Sequence, residues 1–162
     1  MSIVVPPQGT RGSELPALAR ALMRVMQVPF HMAFRRFGDR MRVQGRPLVE
    51  VETVGAKSGS TRHAVVASFP EISGATSWIV VASNSGSARH PAWFLNIAKN
   101  PDRVWVTTAK RRIKVTPETL EGADRERTWQ EVTSLAPVYG RYTEATDRLI
   151  PIVRLRQETT GA

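Results

Sequence analysis

The sequence predicts a mainly β domain with flanking helices, folded as a small barrel or strongly curved sheet. Two observations carry this. Segments rich in β-branched residues follow one another between turn signals, and the links between them are short enough for neighbours to pair antiparallel. The strands are read at Leu48–Val54, Arg62–Phe69, Ser77–Ser83, Arg103–Thr108, Arg111–Thr116 and Ile150–Leu155, the last closing the sheet. The links GAKSGS (55–60), PEISGAT (70–76) and Ala109–Lys110 predict that consecutive strands form a meander.

Ahead of the sheet, residues 1–13 hold paired prolines and two glycines before any periodic pattern, which predicts a flexible N-terminal arm. Residues 14–40 follow as an amphipathic helix. Leu15, Leu18, Leu22, Val25, Met26, Met32 and Phe34 recur at helical spacing, with Arg20, Arg24, Arg35 and Arg36 between them and a bend expected at Pro29. Two uses are open to the apolar stripe: packing on the body, or lying on an anionic membrane surface through residues 15–37. Residues 41–157 form the barrel, within which Pro91–Lys99 and Glu121–Leu135 read as helices.

A chain of 162 residues, 41% hydrophobic and 23% charged, suits one globular domain with one core. The absence of Cys excludes a disulfide framework, a thiolate metal site and a cysteine nucleophile. Twenty-three basic against fourteen acidic residues give a formal charge of +9, which favours encounter with anions, although a high-GC genome also produces an Arg-rich composition. Arginines interrupt the only apolar N-terminal region, so no run approaches the roughly 20 apolar residues of a membrane span, and no secretory signal is recognised. The expected location is cytoplasmic, peripheral on the inner face of the membrane if the helix binds lipid.

Two segments could carry chemistry. In Thr53–Arg62 (TVGAKSGSTR), glycines flank Lys57 and Ser58 at a hairpin tip and Arg62 opens the next strand, so backbone amides and two cations form a plausible anion nest; Gly59 supplies the turn. The spacing is not that of a nucleotide P-loop, and a hairpin turn with solvated charges is the plain alternative. In Val81–Asn96 (VASNSGSARHPAWFLN), a small-residue loop leaves a strand and enters a helix at Pro91, where a planar ligand can approach the backbone and free amides favour negative charge. The plain alternative is a solvent loop capping a helix, with Trp93 in the core. His31, His63 and His90 have no metal-ligand spacing, so no metal is expected. The nucleophile elbow of hydrolases is absent. Asp147 and Arg148 read as a structural ion pair.

Together these segments resemble the deazaflavin (coenzyme F420)-dependent nitroreductase family, whose pattern runs T-x-G-R-K-S-G-x-x-R, then A-S-K-G-G with H-P-x-W-[YF]-x-N, then Y-x-x-Y before T-D-R-x-I-P. The chain offers TVGAKSGSTR at 53–62, ASNSGSARHPAWFLN at 82–96 and YGRYTEATDRLIP at 139–151. The resemblance spans about residues 40–155 and implies a split β-barrel similar to the flavin-binding pyridoxamine-phosphate-oxidase fold. It implies that Lys57 and Arg62, with Ser58 and Gly59, hold the cofactor's phosphate and acidic tail. By the same resemblance the backbone of Val81, Ala82, Ser83 and Asn84 meets the ring system, with Trp93 and Asn96 supporting that wall. Tyr139 and Tyr142 would line the substrate side, and either could give the proton that follows hydride transfer to a quinone, nitroaromatic or other electron-poor acceptor. Ala56 and Asn84 stand where the family pattern has Arg and Lys, with Arg89 placed to compensate. FMN is therefore the second choice of cofactor.

Two further classes compete with the reductase. One is a non-catalytic carrier of a flavin, haem or lipid-like ligand on the same fold. The other is a nucleic-acid-binding barrel, which the charge allows, but the strands are mainly aliphatic and lack the interleaved exposed aromatics of a stacking platform. The resemblance also implies a homodimer paired through the sheet.

Overall fold

The computed structural model describes residues 3–74, 76–108 and 111–159. The helix α1 (Ala17–Phe37) and a helical turn at Gly38–Arg40 lead into β1 (Arg42–Val43), β2 (Arg46–Val54) and β3 (Thr61–Ala67). Next come α2 (Pro70–Ser73), β4 (Ser77–Val81), a helical turn at Asn84–Gly86, α3 (Ala92–Lys99), β5 (Trp105–Thr108) and β6 (Arg111–Thr119). The chain ends with α4 (Gly122–Leu135), α5 (Val138–Ala145) and β7 (Ile152–Gln157).

Six strands pair antiparallel in the order β3-β2-β5-β6-β7-β4, and β1 pairs with the start of β2. The two ends of this path meet at an isolated bridge between Ser68 and Val80, beside which the Phe69 amide donates to Ile79 O at 3.1 Å. The curled sheet is thus a barrel joined at one point and open along the rest of β3, which is the split form of the expected barrel.

The expected meander is corrected. Hairpins join β2 to β3 and β5 to β6, but β4 lies beside β7 and β2 beside β5. The reason is burial: Ile79 and Val80 on β4 point to opposite faces and are both fully buried, as are Ile152 and Val153 on β7. Such strands need apolar cover on both sides. One cluster, with Val51, Val80, Phe94, Ile97, Val106 and Leu155, lies on the α3 side; another, with Phe69, Ile79, Val132, Tyr139 and Ile152, lies under α4 and α5. The link PEISGAT holds the short α2, α5 lies between α4 and β7, and the expected tip at Ala109–Lys110 lies outside the described residues.

The N-terminal arm also differs from expectation, since residues 3–13 run along the body. Ile3 packs against the α3-side cluster, Val4 N donates to Thr119 Oγ1 at 3.2 Å, and the amides of Gly9 and Ser13 donate to Ala88 O and Gly86 O at 2.8 and 2.9 Å. Glycine here serves close approach rather than looseness: a Cβ on Gly12 would lie 2.1 Å from Ala88 N.

Of α1, only Phe34 is buried, while Leu18 is 82% and Val25 72% exposed. Leu18, Leu22, Val25, Val28 and Met32 share the side of the helix away from buried Phe34, so much of the expected stripe faces away from the body.

Candidate functional site: a cationic cleft beside the open seam

The tip between β2 and β3 is closed by Gly55 N donating to Ser60 O and Gly59 N donating to Gly55 O, each at 2.8 Å, with Gly59 at φ +68°. The helix α3 fixes this tip. Buried Asn96 accepts from Ala56 N at 2.9 Å and donates to Thr53 Oγ1 at 3.2 Å, and Asn100 donates to Val54 O at 3.2 Å. Neighbouring Trp93 and Phe94 anchor α3 through edge-on ring packing at 6.2 Å.

Lys57, Ser58, Arg62, Trp93 and Asn96 line one cleft of about 710 Å³, together with Gln27, His63 and Ala64. Arg62 donates to Ser58 Oγ at 3.4 Å. Among the described residues neither Lys57 nor Arg62 has a carboxylate partner, so the cleft carries two uncompensated positive charges. Its volume falls in the range of cofactor-sized sites, roughly 300–1,000 Å³. This donor set fits a group with an acidic tail and a flat apolar ring, with Trp93 beside it.

The other candidate residues belong to a second wall. The loop after β4 carries two non-glycine residues with positive φ, Asn84 (45°) and Ser85 (53°), a conformation that persists only where surroundings enforce it. Arg148, buried to 4% exposure, is what enforces it. Its guanidinium donates to Ala82 O at 3.1 Å, Ser83 O at 2.8 Å and Ser87 O at 3.0 Å, and its Nη1 lies 3.0 Å from His90 Nδ1. Among the described residues no peptide bond is cis, so turning the carbonyls of Ala82 and Ser83 onto Arg148 turns the amides of Ser83 and Asn84 the opposite way. The loop therefore presents paired donors to a ring carbonyl or an anion. The Asn84 side chain donates to Arg89 O at 2.9 Å and so closes the turn.

Asp147 and Arg148 do not form the expected ion pair with each other. Asp147 accepts from the amides of Thr10 and Arg11 at 2.9 and 3.0 Å and from the Thr10 hydroxyl, while Arg148 serves the loop. These bonds hold the Asp147 carboxyl down at about 2, with Thr10 Oγ1 the largest cause. His90 Nε2 lies 2.8 Å from Pro6 O, and its amide donates to Gln8 Oε1 at 2.9 Å. Burial is the main cause that lowers the His90 pKa, and the adjacent Arg148 charge adds to it.

Tyr139 and Tyr142 do not line the 710 Å³ cleft. They pack edge-on at 5.5 Å, and Tyr139 packs likewise on Phe69 in the second core cluster. Burial pushes the Tyr139 phenol up to about 12. Tyr142 Oη accepts from Gln44 Nε2 at 3.3 Å, and a Cβ on Gly86 would lie 3.3 Å from Tyr142 Cα, so α5 buttresses the loop from behind. Sequence reasoning missed the structural parts played by Gln27, Glu50, His63 and the Asp147–Arg148 clamp; the one local signal was His63's place next to Arg62. Among the described residues no cluster has the composition of a metal site.

The split barrel and its cationic cleft define a class of proteins that hold an anionic, flavin-like cofactor. Residues 26–157 match the family model described as F420H2-dependent quinone reductase, and the chain belongs to that family. It is 32% identical over 112 residues to the F420H2-dependent quinone reductase of Mycobacterium tuberculosis, covering 67% of this chain and 72% of that protein. The putative F420H2-dependent quinone reductase of Mycobacterium bovis matches to the same extent. Among solved structures, the F420-H2-dependent reductase FDR-A is 34% identical with a TM-score of 0.59, over 68% of this chain and 95% of that one. Another, described as a domain-swapped dimer, is 30% identical with a TM-score of 0.60, over 84% and 99%.

Proposed function

We propose that the protein reduces quinones, with nitroaromatics as secondary acceptors, at the expense of reduced coenzyme F420. The observation that carries this is the pair of uncompensated cations, Lys57 and Arg62, at a 710 Å³ cleft floored by Trp93 and Asn96. When bound, the deazaflavin supplies the hydride. The chain's residues bind and orient. Lys57, Ser58 and Arg62 hold the phosphate and acidic tail, with Gly59 shaping the turn. Amides of Ser83 and Asn84 meet the polar edge of the ring, and Val81, Ala82 and Arg89 complete that wall. Tyr139 and Tyr142 keep the loop in place from behind, and Tyr142 remains a candidate proton donor.

The experiment is quenching of cofactor fluorescence by the purified protein, with oxidised F420 and FMN compared, followed by quinone-dependent reoxidation of the reduced cofactor. Micromolar F420 binding with turnover supports the proposal. Tight FMN binding instead would move the protein to FMN chemistry, and F420 binding without turnover on any quinone or nitroaromatic would make it a carrier.

For assembly, the domain-swapped relative supports a homodimer. The exposed apolar residues of α1, beside exposed Arg20 and Arg24, support contact with an anionic lipid surface. No helix among the described residues is long and apolar enough to cross a membrane.

A further inference from the structure

A second cavity of about 610 Å³ lies between α1 and β3, walled by Met23, Met26, Phe30, Ala33 and Val65. Its remaining wall is shared. Gln27, His63 and Ala64 line both this cavity and the cationic cleft, so the two spaces adjoin at β3.

His63 is held at that junction by a buried carboxylate. Its Nδ1 lies 3.3 Å from Glu50 Oε1, and Glu50 is only 3% exposed. The other carboxylate oxygen, Oε2, lies 3.0 Å from His31 Nδ1, and Arg35 approaches Oε1 at 3.9 Å. Register explains the placement: Glu52 pairs with His63 and Glu50 with Val65, so all four side chains share the sheet face that α1 covers. With Nδ1 engaged, Nε2 is the nitrogen left to act, and among the described residues it has no partner.

We propose that the α1–β3 cavity is the acceptor site, taking the flat head of a quinone at its shared wall and a hydrocarbon tail between Met23 and Met26, and that His63 supplies the proton. The inference rests on the reductase reading. A quinone becomes a hydroquinone by gaining two electrons and two protons' worth of hydrogen. A bound reduced deazaflavin would supply a hydride, that is both electrons and one hydrogen nucleus, so that the acceptor, then a hydroquinone monoanion, would need one further proton. The imidazolium Nε2–H then forms the second O–H bond, leaving neutral His63 to be reprotonated from water. Glu50 is a positioning residue, since it holds the ring from Nδ1 and does not touch the acceptor.

The groups that bear on His63 are His31 and Arg35 from α1, Glu50 and Glu52 from β2, and Arg62 on β3. Lys57 at the tip lines the same cleft, and Arg112 on β6 pairs with Glu52 at 2.7 and 2.9 Å. These are the charged groups that face His63, so its role is tested by comparing variants.

The test uses the full chain without cofactor, titrated with a naphthoquinone bearing a short prenyl tail, while the imidazole C–H signals of its three histidines are followed by NMR. Signals of His63 and His31 should shift while that of His90 stays. Ala33→Trp, or the smaller filler Ala33→Leu, should weaken quinone binding at least tenfold and leave F420 binding unchanged. With reduced F420, turnover is followed against pH and its alkaline limb compared between variants. His63→Phe should lower kcat by about 100-fold, flatten that limb and leave the quinone KM within about twofold. Glu50→Gln should keep quinone binding but alter the pH profile. Quinone binding that leaves His63 unmoved, or wild-type kcat and pH profile in His63→Phe, overturns the inference and returns the proton to Tyr142. Failure of F420 binding would instead remove the reductase reading, while the quinone titration would still decide the cavity.

Discussion

Lys57 and Arg62 face solvent at the cleft with no carboxylate among the described residues to neutralise them, an arrangement that repels itself until an anion arrives. A hydrogen bond to a charged group contributes about 1.5–3 kcal/mol, so Lys57→Ala or Arg62→Ala should each weaken F420 binding by roughly 10–100-fold, read by fluorescence quenching. Ala56→Arg, which restores the family's missing cation, should tighten binding in the same assay. Arg148 acts on the backbone instead. Arg148→Met removes the donors of three buried or half-buried carbonyl contacts, and the unfolding free energy from urea titration should fall by about 3 kcal/mol or more. The cationic hairpin tip was legible in the sequence, because a Gly-x-Lys-x-Gly turn with a following Arg declares itself locally, while its proposed binding role came from the family resemblance. Arg148 was not, since its partners lie 58 to 66 positions away. Glu50 and His63 were likewise unreadable as a pair until the β2–β3 register was known.

Elements were legible where local pattern decides and illegible where pairing does. The strands emerged from β-branched composition, and α3 and α4 from their period, but the partners of β4 were chosen by burial on two faces. The arm was misread because Gly9 and Gly12 look the same whether they permit motion or contact. Its attachment has a pH signature. The folded His90 pKa lies below its unfolded value of 6.5, so the fold favours neutral His90; its stability is full above that value and declines as pH falls through it. Asp147 acts lower, contributing stability above 3.8 that is lost as pH falls toward about 2. Hydrogen exchange should show the amides of Gly9 and Ser13 losing protection in these two windows. In His90→Gln the upper window should disappear, whereas in Asp147→Ala the arm should exchange faster at every pH.

For the whole molecule, the open seam of the barrel and the half-covered α1 are linked: α1 overlies β3, one of the two strands that border the seam. Leu18, Leu22 and Val25, all in solvent on one side of α1, form the kind of apolar patch that marks an interaction surface. The triple change Leu18→Gln, Leu22→Gln and Val25→Gln should preserve the melting temperature and F420 binding, because none of these residues is buried. It should shift sedimentation toward the monomer if a second copy covers the patch, or abolish flotation with anionic vesicles if lipid does. Unchanged behaviour in both assays would show that the patch serves neither.

The clamp at Asp147 ties Thr10, near the start of the chain, to a residue 137 positions later. During synthesis, then, the residues around Thr10 leave the ribosome long before their anchor exists. Most of the barrel can form before the arm has anywhere to dock. The loop bearing Ser83 and Asn84 waits for the same stretch, since Arg148 also comes late. The wall proposed for the ring is therefore among the last parts of the molecule to take shape, and a nascent chain stalled before residue 147 should already hold the Lys57 tip yet lack the ordered loop.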